Sequence, residues 1–306
     1  MVKPLFSVVI ACHNHEDFIK EAVDSALSQR HPSKQIIVVD DGSRDGTANV
    51  LMTYGESIVF AGLPENRGAG AARNYGTSLA VGEYLVFLDG DDVLMPWALD
   101  VYDSLITACC PKLILARSAK CVGMVPAREI VDLSRDIQFV EYPDFLSKDR
   151  PWVYNTSSFI VHRATFLSAG GWSTDIFYQD IQDLLNKLGV AGTTVLVLEP
   201  ETVWYRMHSE NAVRRISPFI DGIYMLLAKA RAGVYPGGRE SRGRRQAWFG
   251  GLTFYWGKEA VRAGLYRDGF TLLASKGWLV MLAFIRRGMA WIVGRRAIET
   301  LPVDQN

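Results

Sequence analysis

Four short apolar runs between residues 6 and 88, each followed by polar turn residues and then a helically spaced segment, constrain this chain most. Phe6–Ala11, Gln35–Asp40, Ile58–Ala61 and Tyr84–Leu88 have the length and the β-branched or aromatic content of strands. Between them the spacing predicts helices over Glu16–Ser28, after Thr47 and over the Ala-rich Gly68–Ala80. Pro96 opens another, at a position where proline is favoured. Asn14 is the expected N-cap of the first helix, with Asp17 as its capping-box acid, and Thr47 caps the second. Strands separated by helices pair in parallel through crossovers, so the sheet is covered on both faces. Ligands of such sheets sit beyond the carboxyl ends of the strands. Two acidic clusters fall there, Asp40–Asp41 and Asp89–Gly90–Asp91–Asp92, so one site is expected to hold both.

An isolated Asp-x-Asp is ordinarily a solvated turn. Carboxylates this close repel one another and are tolerated together when a positive charge lies between them. A nucleotide diphosphate carries such a charge as bound Mg²⁺ or Mn²⁺, hard ions that take carboxylate and phosphate oxygens together.

The middle of the chain is less regular. Short strands are predicted at Lys112–Ala116, Cys121–Val125, Thr156–His162, Val195–Leu198 and Val203–Met207, a tight turn at AGGW (169–172), and a helix over Asp180–Leu188. After residue 215 the pattern is helical, with GGRESRGRR (237–245) as an Arg/Gly-rich link. The four cysteines, Cys12, Cys109, Cys110 and Cys121, show no metal-type spacing and read as small buried hydrophobes in a reducing compartment. The N-terminus enters a strand with no signal-peptide pattern, and no apolar run approaches the ~18 residues of a membrane span. A cytoplasmic location is expected.

The order of four stretches, SVVIACHNHEDFIKEAVDSALSQ, IIVVDDGSRDGT, ENRGAGAARNYG and YLVFLDGDD, closely resembles the nucleotide-sugar half of family 2 glycosyltransferases of the GT-A fold. The likeness continues through FIVHRATFLSAGGW, the YQD before a helix, and YRMHSENA, to about residue 212. It implies an α/β, Rossmann-like GT-A fold with a mostly parallel central sheet flanked by helices. Residues 1–212 would form the catalytic domain, with a nucleotide-sugar half (1–108) and an acceptor half (109–212). Residues 213–306 would be a basic, helical C-terminal extension.

The resemblance also implies roles. Ala11, His13, Asn14, Glu16, Asp41, Arg73, Asp89 and Gly90 would line the donor site. Asp41 would accept a hydrogen bond from uracil, and Arg73 would lie near the base or diphosphate, where a forked cation suits phosphate. Asp89 would hold ribose and metal, Asp91 would be the main ligand of Mn²⁺ or Mg²⁺, and His208 would touch the metal or diphosphate. Asp92 would support them from behind or cap the next helix. Asp180 would be the base that deprotonates an acceptor hydroxyl, with Asp175 and Asp183 as competitors. The implied reaction is inverting transfer of a sugar, most simply from a UDP-sugar, to a glycan or lipid-linked glycan.

Two positions depart from the family pattern. Ala11-Cys12-His13-Asn14 stands where Pro-Thr-Tyr-Asn is common, and Gln179 replaces the usual glutamate before Asp180. Losing that like charge is expected to make Asp180 easier to ionise. Two other readings compete. LDGDDV fits the nucleophile motif of haloacid dehalogenase-like phosphohydrolases, with Asp89 as nucleophile, and Gln179 fits a non-catalytic nucleotide-sugar-binding scaffold.

The net charge is zero, but residues 1–202 carry 16 Lys/Arg against 26 Asp/Glu, and residues 203–306 carry 17 against 7. The stretch 277–296 puts Trp278, Leu282, Ile285, Met289 and Ile292 on one helical face with Arg287 opposite. That is the profile of a helix lying in a membrane surface, or packed against the catalytic domain or a partner subunit; the family resemblance implies the inner face of the cell membrane. No nucleic-acid-binding motif accompanies the basic charge.

Overall fold

The computed structural model describes residues 4–123, 136–148, 155–208, 216–293 and 296–301. The strands are β1 (Phe6–Cys12), β2 (Lys34–Asp40), β3 (Val59–Gly62), β4 (Tyr84–Asp89), β5 (Val93–Leu94), β6 (Leu113–Val122), β7 (Ile137–Tyr142), β8 (Phe159–His162), β9 (Thr194–Met207) and β10 (Glu299–Leu301). They form one sheet in the order β10-β7-β9-β6-β8-β4-β1-β2-β3, with β5 on β9. The helices are α1 (Ile19–Leu27), α2 (Thr47–Met52), α3 (Ala69–Leu79), α4 (Ala98–Cys109), α5 (Arg163–Ser168), α6 (Asp180–Lys187), α7 (Ile216–Arg231), α8 (Gly238–Arg262), α9 (Tyr266–Ser275) and α10 (Gly277–Val293).

The first four strands form where expected, and β1, β2, β3 and β4 pair in parallel. Every residue of β1 is buried, as a strand covered on both faces must be. Alternate residues serve opposite layers: Val8 and Ile10 join the core under α1 and α4, while Val9 and Ala11 join the one under α3 and α6. Beyond β4 the sheet is mixed rather than mostly parallel. β8 runs antiparallel between β4 and β6, and β7 and β10 add antiparallel strands beyond β9.

Several local expectations are corrected. The strands expected at 112–116 and 121–125 are one strand, β6, with a register shift between Leu115 and Ser118; residues 124 and 125 lie outside the described residues. The strands expected at 195–198 and 203–207 are likewise one, β9. Thr156–Ser158 forms a 3₁₀ turn ahead of β8. Asn14 caps nothing: it holds a left-handed φ of 55°, while α1 starts at Ile19 on the carbonyl of His15. The turn into α2 is closed by Asp45, which accepts both the amide and the hydroxyl of Thr47. Cys12 and Cys121 are buried, but Cys109 is half-buried and Cys110 exposed.

The supposed link at 237–245 is the start of α8. Two of its four arginines are bound: Arg244 reaches Asp144 at 2.9 Å, and Arg245 donates to the Pro236 carbonyl. Gly250 lets α8 cross α10 closely, since a Cβ there would lie 1.8 Å from the Leu279 carbonyl oxygen. Ile223, Leu226, Phe249, Trp256, Leu272 and Leu279 close a third core. The chain then returns to the sheet edge as β10.

Within the expected surface face of α10, Trp278, Ile285 and Met289 are about half exposed and Leu282 is partly buried; the side chain of Ile292 lies outside the described residues. Leu279 and Ala283 of the same helix are buried. Among the described residues no single helix is long and apolar enough to cross a membrane. Tyr266–Ser275 and Gly277–Met289 meet that measure only as a pair bent by 69°.

Candidate active site

The parallel register puts Ala11 opposite Asp89 and Cys12 opposite Asp40, so the acidic turns leave the sheet side by side. Gly90 follows because the chain must pass close to β1. Its amide donates to the Ala11 carbonyl, and a Cβ there would meet the Cys12 Cβ at 2.6 Å and His15 Nδ1 at 2.7 Å.

The expected donor residues around β1 and β2 come together. His13 Nδ1 lies 2.8 Å from the Asp41 carbonyl oxygen, and its Nε2 3.2 Å from the Asn14 amide, which fits the tautomer protonated at Nδ1. Asn14 also bonds the Ser43 hydroxyl and the Arg44 amide. Glu16 accepts from the Gly46 amide and so holds the same turn. Asp41 is buried and accepts the amides of Arg67 (2.8 Å) and Gly68 (2.7 Å), fastening the loop that leads into α3. A carboxylate has further lone pairs, so this use does not exhaust it. Gly68 sits at φ 89°, where glycine is at home, and Phe177 packs against it.

Arg73 differs most from expectation. It is buried, and its two terminal nitrogens reach Asp89 Oδ1 at 2.7 Å and Asp180 Oδ2 at 3.0 Å, with the Trp172 ring 4.9 Å away. One cation thus joins the donor-side carboxylate of β4 to the first residue of α6. Asp180 Oδ1 accepts the Ile181 amide. Burial pushes the Asp180 carboxyl above its ordinary value; Arg73 and that amide pull back without cancelling it.

Asp91 Oδ2 lies 2.8 Å from His208 Nε2 at the end of β9, and the His208 ring packs on Phe18. The expected set of Asp89, Asp91 and His208 is therefore not assembled as three ligands, because Asp89 faces Arg73 instead. Among the described residues no group of three or more His, Cys, Asp or Glu is arranged to hold an ion. A hard oxygen and an imidazole nitrogen side by side still suit a divalent ion whose other ligands are diphosphate oxygens and water.

Asp92 caps no helix. It is fully buried and accepts from the Ser157 hydroxyl (2.5 Å) and the Arg206 amide (3.0 Å). Burial, then the charges of Asp91 and Asp89, hold it well above the ordinary carboxylate range. Asp183 is fully buried and bonded to Ser173, Tyr235 and Lys187, and exposed Asp175 pairs with Lys229.

Gln179 also departs from expectation. It is buried and turned away from Asp180, donating to the Phe219 carbonyl at 3.1 Å.

Sequence reasoning passed over Arg206, whose guanidinium bonds the carbonyls of Asp91 and Gly123 and the carboxylate of Glu21. The signal was present, since Arg206 and His208 are two apart where β9 ends.

Residues 7–106 match the family model described as glycosyl transferase family 2. The Bacillus subtilis glycosyltransferase TuaG, named for teichuronic acid biosynthesis, is 45% identical over 93 residues, 29% of this chain and 37% of that protein. The match thus spans little more than a third of that relative's length. The first 349 residues of S. aureus TarS superpose with a TM-score of 0.63 at 18% identity, over 83% of this chain and 72% of that one. The Pyrobaculum calidifontis mannosyltransferase PcManGT, solved with GDP-Man and Mn²⁺, gives 0.55 at 16% identity, over 95% and 87%. Both likenesses are of fold and cover most of this chain. Residues 7–106 thus resemble glycosyl transferase family 2, and the fold around them is similar to that of solved glycosyltransferases.

Proposed function

We propose that this protein is a metal-dependent, inverting glycosyltransferase that moves one sugar from a nucleotide diphosphate sugar, UDP-linked, to a hydroxyl of a glycan or lipid-linked glycan. The observation that supports the reading is the Arg73 bridge, which joins Asp180 to Asp89 of the acidic turn. TarS has been solved with UDP and with UDP-GlcNAc, which supports the choice of nucleotide.

In the reaction Asp180 takes the proton of the acceptor hydroxyl. The hydroxyl oxygen forms a bond to the anomeric carbon as the bond from that carbon to the diphosphate oxygen breaks. The electron pair leaves with the nucleoside diphosphate, and single displacement inverts the centre. A divalent ion bound by Asp91 and His208 would supply charge neutralisation for the diphosphate. His13, Asn14 and Asp41 would hold the base, and Arg73 keeps Asp180 oriented.

The exposed face of α10 and the basic tail support peripheral contact with the inner face of the cell membrane, with the enzyme in the cytoplasm. A screen of nucleotide sugars for donor hydrolysis, with Mn²⁺ and with EDTA, tests the reading. It predicts nucleoside diphosphate release from one or a few UDP-sugars, abolished by EDTA. Release from none, with UDP still bound, would favour a binding scaffold.

A further inference from the structure

We propose that the helices after residue 215 are the positioning scaffold of the base, and that Gln179 is present because this scaffold needs a hydrogen-bond donor. The inference rests on Asp180 being the base.

Asp180 opens α6, a helix of eight residues, too short to hold its own direction without packing. The polar residues flanking it bind the C-terminal region rather than the cleft. Gln179 Nε2 donates to the Phe219 carbonyl in α7, and its Cγ lies so near Gly222 that a Cβ there would be 2.5 Å away. Phe219 is itself fixed by stacking on Trp256 of α8, centroids 4.0 Å apart at 14°.

Three residues past the base, Asp183 accepts from Tyr235 (2.8 Å), which lies between α7 and α8, and from Ser173 (2.5 Å). Lys187 and Lys229 of α7 neutralise it at 3.2 and 3.4 Å. Ahead of α6, Ile176 is buried in the C-terminal core.

The base is thus held from two directions: by Arg73 on its own carboxylate, and by α7 and Tyr235 on the residues flanking it. This accounts for the neutral residue at 179. A carboxylate there would set its lone pairs against the Phe219 carbonyl oxygen in a site 2% exposed. An amide N–H satisfies that carbonyl.

The test uses the full chain and the variants Gln179→Glu, Tyr235→Phe and Asp180→Asn. UDP-GlcNAc hydrolysis with Mn²⁺ reports the chemical step, UDP titration reports donor binding, and amide exchange over residues 176–188 reports the seating of α6. Gln179→Glu should lose about 10²-fold in turnover, the cost of a base displaced by roughly an ångström. UDP affinity should be unchanged and exchange over 180–184 faster. Tyr235→Phe, which retains the ring, should show the same pattern more weakly and serves if Gln179→Glu does not fold. Wild-type turnover and exchange in both variants, or UDP affinity falling in step with turnover, would overturn the scaffold. Full turnover in Asp180→Asn would instead refute the base itself. Loss in Asp180→Asn alone would leave the base standing and the scaffold wrong. The exchange readout holds whichever sugar nucleotide is turned over.

Discussion

Replacing Arg73 with methionine keeps the stem against Trp172 but leaves the carboxylates of Asp89 and Asp180 without their shared cation. Breaking a buried ion pair by removing one partner typically costs about 3–5 kcal/mol. The side chains of Asp89 and Asp180 retain 26% and 18% exposure, so water screens part of the loss and about 3 kcal/mol is expected. At about 2–4 °C per kcal/mol, melting should fall by at least ~6 °C near neutral pH.

The loss has a pH signature. Asp180 is already raised by burial, and without Arg73 its folded value climbs further. An acid raised on folding stabilises fully below its unfolded value, and that stabilisation is lost as pH rises through the folded value. The gap between wild type and Arg73→Met should therefore be small near pH ~4 and widen toward pH ~7. Thermal unfolding followed by circular dichroism without ligand measures both effects. A variant melting within ~1 °C of wild type at neutral pH, or a gap that does not change with pH, would refute the reasoning.

Two further outcomes follow. Asp91→Ala removes the carboxylate proposed to hold an ion beside His208, so any Mn²⁺ dependence of UDP binding should be lost; calorimetry showing unchanged metal-dependent affinity would remove Asp91 from the site. Leu279 and Ala283 of α10 are buried, so substitution rather than deletion is the clean perturbation of the surface face. Changing Trp278, Ile285 and Met289 to serine should weaken co-sedimentation with anionic liposomes by ~10²-fold, at about 1 kcal/mol for each half-exposed side chain. Equal co-sedimentation would end the membrane proposal.

The parallel half of the sheet was legible because each of its strands is an apolar run closed by turn residues, the strongest local signal a chain carries. β7 and β10 were not, since IQFVEY and ETL are short and take their conformation from a neighbouring strand. The stretch 237–245 reads as a link by composition, yet tertiary contacts from Arg244 and Arg245 override its weak helix propensity. At the site, residue identities were visible but their pairings were not. Arg73 meets partners 16 and 107 positions away, and no local pattern records which carboxylates one arginine joins. Gln179 was read against its sequence neighbour, while its partner lies 40 residues on.

The central claim is that Asp180 is the base of a sugar transfer whose donor is held elsewhere in the cleft. Asp180→Asn keeps the shape and one acceptor oxygen where the carboxylate offers two, to Arg73 and to Ile181, but it cannot take a proton. Measuring single-turnover transfer and donor affinity on this variant separates the two halves of the site. The expected result is a rate lower by about 10²–10⁴-fold with UDP-sugar affinity nearly unchanged. In the wild type, activity should fall away on the acid side at a pH above the ordinary aspartate range, since burial has raised the group. An Asp180→Asn enzyme that transfers at the wild-type rate would contradict it.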